Sequence, residues 1–201
     1  MQNILEFSRQ FNWIDILVFV VFLRLIFVSL KQGLGAESFK LFGTFCGLYL
    51  ALHYYSALAL YLNGRSGNKT PPGNFLELSS YIALFFLGYF IFWLLRVLVF
   101  RFVTAEANNP FFSKWGGFCL GLLRALLLAS LILFALLVPR SAYFRDSVRY
   151  SLSGENVLKI APSAYTWFWN SIGSRLNFGG KFNNSVADIC SAESPQKNKK
   201  K

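Results

Sequence analysis

The sequence predicts an all-α membrane protein: a bundle of four transmembrane helices followed by C-terminal interfacial amphipathic helices and a disordered basic tail. Hydrophobic residues make up 55% of the 201 residues and charged residues only 14%, which is too apolar for an ordinary soluble domain. The apolar residues also collect in four runs long enough to cross about 30 Å of hydrocarbon. One histidine and three scattered cysteines argue against a disulfide scaffold and a multi-ligand zinc site.

The first apolar run covers residues 13–30 and follows a short N-terminal tail, residues 1–12. A cleaved signal peptide would have an uninterrupted apolar centre and end in a small-x-small motif. Here Arg24 interrupts the run, and the sequence KQGLGAE follows it. We therefore expect this first helix to be retained.

The other three runs complete a predicted membrane domain over residues 13–138. The polar segment after the second run is rich in turn formers, NGRSGNKTPPGN, and reads as a solvent loop. Pro139 ends the fourth run because proline lacks the amide donor that a helix interior requires. The spans are therefore predicted at residues 13–30, 39–62, 81–103 and 116–138.

Residues 139–170 mix basic and aromatic side chains and are predicted to form interfacial helices. Phe144, Val148 and Leu152 recur every four residues, so they share one helix face. Aromatic rings favour the headgroup zone of a bilayer, which suits such a face. The alternative is a small cap packed on the helix bundle.

The distribution of lysine and arginine predicts the orientation of the chain. Thirteen of them fall in the N-terminal tail, the middle loop and the segment after the fourth span, against four on the opposite side. Cations accumulate in cytoplasmic segments, so we expect both termini in the cytoplasm. The tail, residues 171–201, ends in KNKKK and is predicted to be disordered. The net charge of +11 fits anionic lipids as partners and needs no nucleic acid.

Three arginines lie inside the predicted spans: Arg24, Arg96 and Arg124. Each costs about 2.5–3.5 kcal/mol at a helix centre. From their distances to the span ends, all three fall at a similar depth in the outer half of the membrane. We expect them to line a polar recess that opens to the outer face, with carboxylates such as Glu37 and Glu106 reaching inward. The alternative is that each arginine extends separately toward the headgroups.

Two pairs of glycines predict close helix packing. Gly117 and Gly121 form a GxxxG motif in the fourth span, and Arg124 continues the same face, so it should point at protein. Gly43 and Gly47 form a second pair in the second span. We expect the two pairs to bring these two helices into backbone contact.

Asp15 opens the first span, where a carboxylate favours the helix start. The alternative joins it to His53, Tyr54 and Tyr55 as a proton-sensitive polar cluster. The sequence offers no serine elbow, phosphate-binding glycine loop or second histidine. We therefore expect neither an enzyme nor a cofactor or metal site.

The order of several short motifs resembles the bacterial colicin V production protein (CvpA-like) family. These motifs are W-x-D before the first span, a basic residue and glycine leading to glutamate at residues 31–37, HYY in the second span, and GG-x-x-x-G-x-x-R in the fourth. The resemblance covers about residues 12–170. The usual Arg-Gly step reads Lys-Gln-Gly at 31–33, and the loop over residues 63–74 is particular to this chain.

The resemblance implies a four-helix bacterial inner-membrane protein linked to toxin production, with suspected small-solute transport and no catalytic residues. Our expectation is transport or export support through the arginine-lined recess, which would accept an anionic solute or a lipid headgroup. A conducting path would require a homo-oligomer, since four helices leave little central room. The alternative is a membrane scaffold that binds partner helices and anionic lipid. The family motif would mark Trp13, Asp15, Gly33, Glu37, Gly117, Gly121 and Arg124.

Overall fold

The computed structural model describes residues 12–66, 73–102, 110–173 and 182–191. Every regular element in these ranges is helical, which confirms the predicted all-α class. Three helices are long: α1 (Trp13–Ser66), α2 (Gly73–Phe102) and α3 (Pro110–Leu137). The shorter elements are α4 (Ala142–Arg149), α5 (Leu152–Asn156), α6 (Ile160–Phe168), a π-helical turn (Trp169–Gly173) and α7 (Asn184–Ser191).

α1 is broken at Gly33, whose backbone torsions (φ 70°, ψ 170°) are not helical. Glycine adopts positive φ without the steric cost that a side chain adds. Before the break, Ser29 donates a hydrogen bond to the Gly117 carbonyl oxygen near the start of α3. Phe22 precedes Ser29 in α1, and Leu126 follows Gly117 in α3. Phe22 and Leu126 line the same cleft. This segment of α1 therefore runs antiparallel to α3.

After Gly33 the chain runs in the opposite direction. Glu37 pairs with Arg124 in the first half of α3. The ring of Tyr55, five turns later, packs edge-on against Phe134 near the end of α3, with ring centroids 6.4 Å apart. The second segment of α1 is therefore parallel to α3, and the chain reverses at the glycine.

Among the residues that the structure describes, three helices, rather than the four separate ones predicted, are long and apolar enough to cross a membrane. The first two predicted spans, 13–30 and 39–62, both lie within α1. The intervening residues 31–38 are helical on either side of Gly33, because leucine, alanine, lysine and glutamine among them favour helix. The three membrane-length stretches are Trp13–Arg65, Phe75–Leu98 and Ser113–Leu137.

α1 packs extensively against both α2 and α3, whereas α2 and α3 touch each other little. Leu52, Leu133 and Phe134 are fully buried in the shared core. α2 turns most of its surface outward, and Phe86 and Phe90, one helical turn apart, are more than half exposed. An apolar face of this kind suits lipid contact. α1 is therefore the element that holds α2 in the bundle.

Residues 139–170 form a cap packed on the ends of α1 and α3. Val148 and Leu158 are buried in the same core as the long helices. Ser130 of α3 donates a hydrogen bond to the Leu158 carbonyl oxygen and accepts one from the Ala161 amide. These contacts fit the alternative of a small cap packed on the helix bundle. The largest exposed aromatic side chains of the cap are Tyr143, Tyr150 and Trp167.

The prediction of a disordered tail over residues 171–201 is wrong for α7. This helix buries Val186 and Ile189 in the core. Its apolar residues are three apart, so they share one face, a pattern too short to stand out in a polar tail. The N-terminal tail before Asn12, residues 67–72 of the loop after the second predicted span, Glu106 and the final lysines lie outside the described residues.

Candidate functional site

A buried ion pair joins α1 to α3. Arg124 Nη1 lies 3.0 Å from Glu37 Oε2, and the two side chains are 3% and 0% exposed. The contact is electrostatic rather than a well-aligned hydrogen bond, since Glu37 Oε2 and Arg124 Nε are both buried without a hydrogen-bond partner. A buried charge left alone costs several kcal/mol. Removing either residue would therefore leave the other as an unpaired buried charge.

Lys40 adds a second cation to this pair. Its Nζ lies 3.3 Å from Glu37 Oε1, one helical turn away, and its side chain is 13% exposed. Nζ also donates a hydrogen bond to Gln32 Oε1 across the break in α1. One carboxylate thus faces two cations, which leaves the trio of Glu37, Lys40 and Arg124 with one net positive charge.

Lys40 and Arg96 line one small cavity between α1 and α2. Its volume is about 190 Å³. Gly43 forms part of its wall, where the absence of a side chain leaves room. The remaining lining residues are aromatic: Phe39, Tyr89, Phe92 and Trp93. The cavity therefore combines two cationic side chains with an aromatic border.

The four residues predicted to form the polar recess do not all meet. Glu37 and Arg124 are paired. Arg96 lines the adjacent cavity with Lys40. Arg24 is exposed on the outer surface of α1 and is not among the residues that line this cavity. Lys40 was not among the predicted site residues, although its i+3 spacing from Glu37 is a usable signal.

Gly117 and Gly121 pack against the first segment of α1, not against the second predicted span. A Cβ added at Gly117 would lie 2.9 Å from the Gly33 carbonyl carbon, and one at Gly121 would clash with the Ser29 side chain. Both glycines therefore let α3 approach the break in α1. The predicted pairing of these glycines with Gly43 is wrong.

Gly43 and Gly47 pack against α2 instead. An added Cβ at Gly43 would lie 3.0 Å from Phe92 Cβ, and one at Gly47 would lie 2.8 Å from the Phe85 carbonyl oxygen. A Cβ added at Gly88 of α2 would in turn meet the backbone of Gly47, so these two glycines face each other. At this pair the backbones of α1 and α2 lie close together.

Asp15 holds the start of α1 and the cap together. Its Oδ2 accepts a hydrogen bond from the Asn12 amide at 3.1 Å, which closes the first turn of α1. Its Oδ1 accepts bonds from the Ser153 amide at 2.8 Å and the Ser153 hydroxyl at 2.6 Å. Trp13, the neighbouring motif residue, packs edge-on against Phe144 of α4. The capping role expected for Asp15 thus extends to a second helix, α5.

Replacing Asp15 with alanine is expected to lower the free energy of unfolding by about 0.5–2 kcal/mol, the range for losing a helix cap. Thermal unfolding in detergent measures this loss, and the Ser153 amide should exchange its hydrogen faster. Asp146→Ala is the matched control because that aspartate is exposed on α4. Equal effects of the two substitutions would contradict the capping role.

His53 lies in an aromatic pocket near the other face of α1. The ring is 6% exposed and stacks between Tyr49 and Trp169, with centroids 5.2 and 5.1 Å away. Its Nδ1 lies 2.9 Å from the Tyr165 hydroxyl. Asn183, before α7, donates a hydrogen bond from its amide to the same hydroxyl oxygen. The pocket therefore ties the C-terminal segments to α1.

The predicted cluster of Asp15 with His53, Tyr54 and Tyr55 is divided in the structure. Asp15 bonds to the cap, as above, and Tyr54 packs edge-on against His53 with centroids 4.4 Å apart. Tyr55 packs edge-on against Tyr81 of α2 and Phe134 of α3. His53, Tyr54 and Tyr55 are consecutive on a helix, so each side chain points about 100° around the helix axis from the one before it.

Burial raises the pKa of Tyr165 to about 12, although the Asn183 amide bond acts against the shift. An unfolded tyrosine ionises near pH 10, so this contribution to stability is complete below pH 10 and is lost as the pH rises toward 12. We expect Tyr165→Phe to flatten the loss of stability over this range. Denaturation curves at pH 9 to 12 measure it, and unchanged slopes would contradict the assignment.

Within the ranges that the structure describes, no group of three or more histidine, cysteine, aspartate or glutamate side chains could hold a metal ion.

The profile of the family described as colicin V production protein matches residues 14–162. No curated protein and no solved structure matches the chain. The match covers well over half of the sequence, including the break at Gly33, the Glu37–Arg124 ion pair and most of the cap. The chain therefore belongs to the colicin V production protein family.

Proposed function

We propose that this protein is a multi-pass protein of the bacterial inner membrane that supports toxin production or export by moving a small anionic solute. The trio of Glu37, Lys40 and Arg124, with its net positive charge and its buried Glu37–Arg124 pair, supports this proposal most directly. Charges inside a membrane segment are expensive, so they mark functional positions more often than structural ones. The proposed recess includes Arg96 and Lys40 but leaves out Arg24, which is exposed.

The proposed topology has four crossings with both termini in the cytoplasm. The reversal at Gly33 supports it because the segment before the break is about 20 residues, or about 30 Å, long. Cysteine labelling tests the topology. In a cysteine-free background, Gly64→Cys should label only after the inner membrane is permeabilised, and Lys114→Cys should label in intact cells. The reverse pattern would place the ion pair in the inner half of the membrane.

Flux through the protein in liposomes tests the transport proposal. Radiolabelled phosphate and chloride are suitable probes, and the wild-type protein should release them faster than empty liposomes do. Substituting Glu37 and Arg124 together by glutamine keeps the two buried residues matched and should reduce this flux. Arg24→Gln is the matched control because it removes an exposed charge. No flux of either anion through the wild-type protein would contradict the proposal.

A scaffold that binds partner helices is the second candidate function. It is supported by the outward face of α2, whose membrane-length stretch is only 11% buried. Photo-crosslinkers at Phe86 and Phe90 would test it. Crosslinks to one membrane protein favour the scaffold, crosslinks to a second copy favour a homo-oligomer, and crosslinks to lipid alone argue against both.

In either function we infer a role without catalysis, cofactor or nucleic acid, with anionic lipid attracted to the basic cytoplasmic segments.

A further inference from the structure

We propose that the cavity between α1 and α2 binds a phosphate group through Lys40 and Arg96. The proposal deepens the anion recess described above and rests on it for the outer position of these residues. A guanidinium and an ammonium that share one cavity suit a phosphate oxygen cluster, because arginine binds phosphate in a bidentate manner and lysine as a point charge.

The position of the cavity suits a phosphate at the depth of a lipid headgroup. Arg96 lies six residues before the end of α2, and Lys40 lies seven residues after the break in α1. These separations are about 9 and 10 Å, short enough for long basic side chains to reach the headgroup zone. Tyr89 and Trp93 border the cavity, and such aromatic residues concentrate at this level of a bilayer.

The charge balance also favours an anion. The Glu37 carboxylate is shared by Lys40 and Arg124, which leaves one net positive charge beside the cavity. Lys40 Nζ has three donor hydrogens, and its two contacts to Glu37 and Gln32 leave one for a ligand. Arg96 adds a second positive charge at the cavity, so a phosphodiester, with one negative charge, would neutralise half of this excess and would need no further cation.

Equilibrium binding to the full-length protein in detergent tests the site. Trp93 borders the cavity and half of its surface is exposed, so its fluorescence should report on occupancy. Dihexanoyl phosphatidylglycerol and inorganic phosphate are titrated in separate arms, with phosphate-free dihexanoyl glycerol in a third. Saturation by the phospholipid alone identifies a lipid headgroup, and saturation by inorganic phosphate identifies a free ion. Trp93→Phe should remove the signal.

Arg96→Gln should weaken binding by about tenfold or more, the effect of losing a charged hydrogen bond, and Arg96→Lys should restore part of it. Arg24→Gln removes the same charge outside the cavity and should change the affinity less than twofold. Circular dichroism and size-exclusion profiles confirm that the variants fold. Three results would overturn the site: no saturable signal from either phosphate compound, equal binding of dihexanoyl glycerol, or equal loss in both arginine variants. Because no flux is measured, binding can succeed where transport fails.

Discussion

Replacing Glu37 with glutamine is expected to lower the free energy of unfolding by about 3–5 kcal/mol, the cost of leaving one member of a buried ion pair alone. Arg124 would remain charged and 97% buried beside a second cation, Lys40. Glutamine keeps the size of the side chain, so the loss reflects charge rather than a cavity. Equilibrium unfolding in mixed detergent micelles measures the difference.

Glu77→Gln is the control for this substitution. Glu77 lies 3.9 Å from Arg140 at the end of α3, and these side chains are 25% and 53% exposed. Pairs near the surface contribute only about 0–1 kcal/mol. A loss at Glu37 no larger than the loss at Glu77 would show that the buried pair is not needed for stability.

The double variant Glu37→Gln with Arg124→Gln separates charge pairing from packing. Removing both charges takes away the buried Arg124 cation and leaves only Lys40, which is 13% exposed, so most of the stability lost in the single variant should return. A double variant as unstable as the sum of the two single variants would mean that the side chains act independently. The pairing of α1 with α3 would then rest on the glycine contacts instead.

The all-α class could be predicted because apolar runs of membrane length leave few other folds open. The orientation of Arg124 toward protein could also be predicted, since Gly117, Gly121 and Arg124 share one helix face and close packing favours small residues. Its pairing with Glu37 was expected only as one of several carboxylate contacts. The prediction worked where a residue's neighbours on its own helix determine its surroundings.

The surroundings of Arg24 could not be predicted in this way. Depth in the membrane follows from residue count, but the direction of a side chain around the helix depends on how neighbouring helices pack. That packing depends on Gly33, where α1 reverses, because the segment before the break turns its glycine-facing side, including Ser29, toward α3. Arg24 then lies on the exposed surface.

The glycine pairs show the same limit. A GxxxG motif indicates that some backbone comes close, but it does not identify the partner. Gly43 and Gly47 could face either neighbouring helix, and their partner is α2, where Gly88 supplies the matching gap. Gly88 has no second glycine four residues away, so no motif marked it in the sequence.

Replacing Gly88 is expected to have the second large effect, because the α2 backbone lies close to the α1 backbone at this residue. A Cβ added there would lie 2.7 Å from the Gly47 Cα atom and 2.8 Å from the Gly47 nitrogen. Both are backbone atoms, so no side chain can rotate away. Gly88→Ala should lower the free energy of unfolding by about 1–3 kcal/mol, the usual cost of overpacking, and Gly88→Leu should lower it further.

Gly64→Ala is the matched control, since an added Cβ at Gly64 meets nothing within 4 Å. Alanine favours helix over glycine by about 1 kcal/mol, so this substitution should leave stability unchanged or raise it. The two glycine-to-alanine substitutions should therefore act in opposite directions. Because α2 touches α3 little, Gly88→Leu should also increase hydrogen exchange throughout α2 more than in α3. Uniform exchange in both helices would mean that α2 is held by contacts other than its glycine approach to α1.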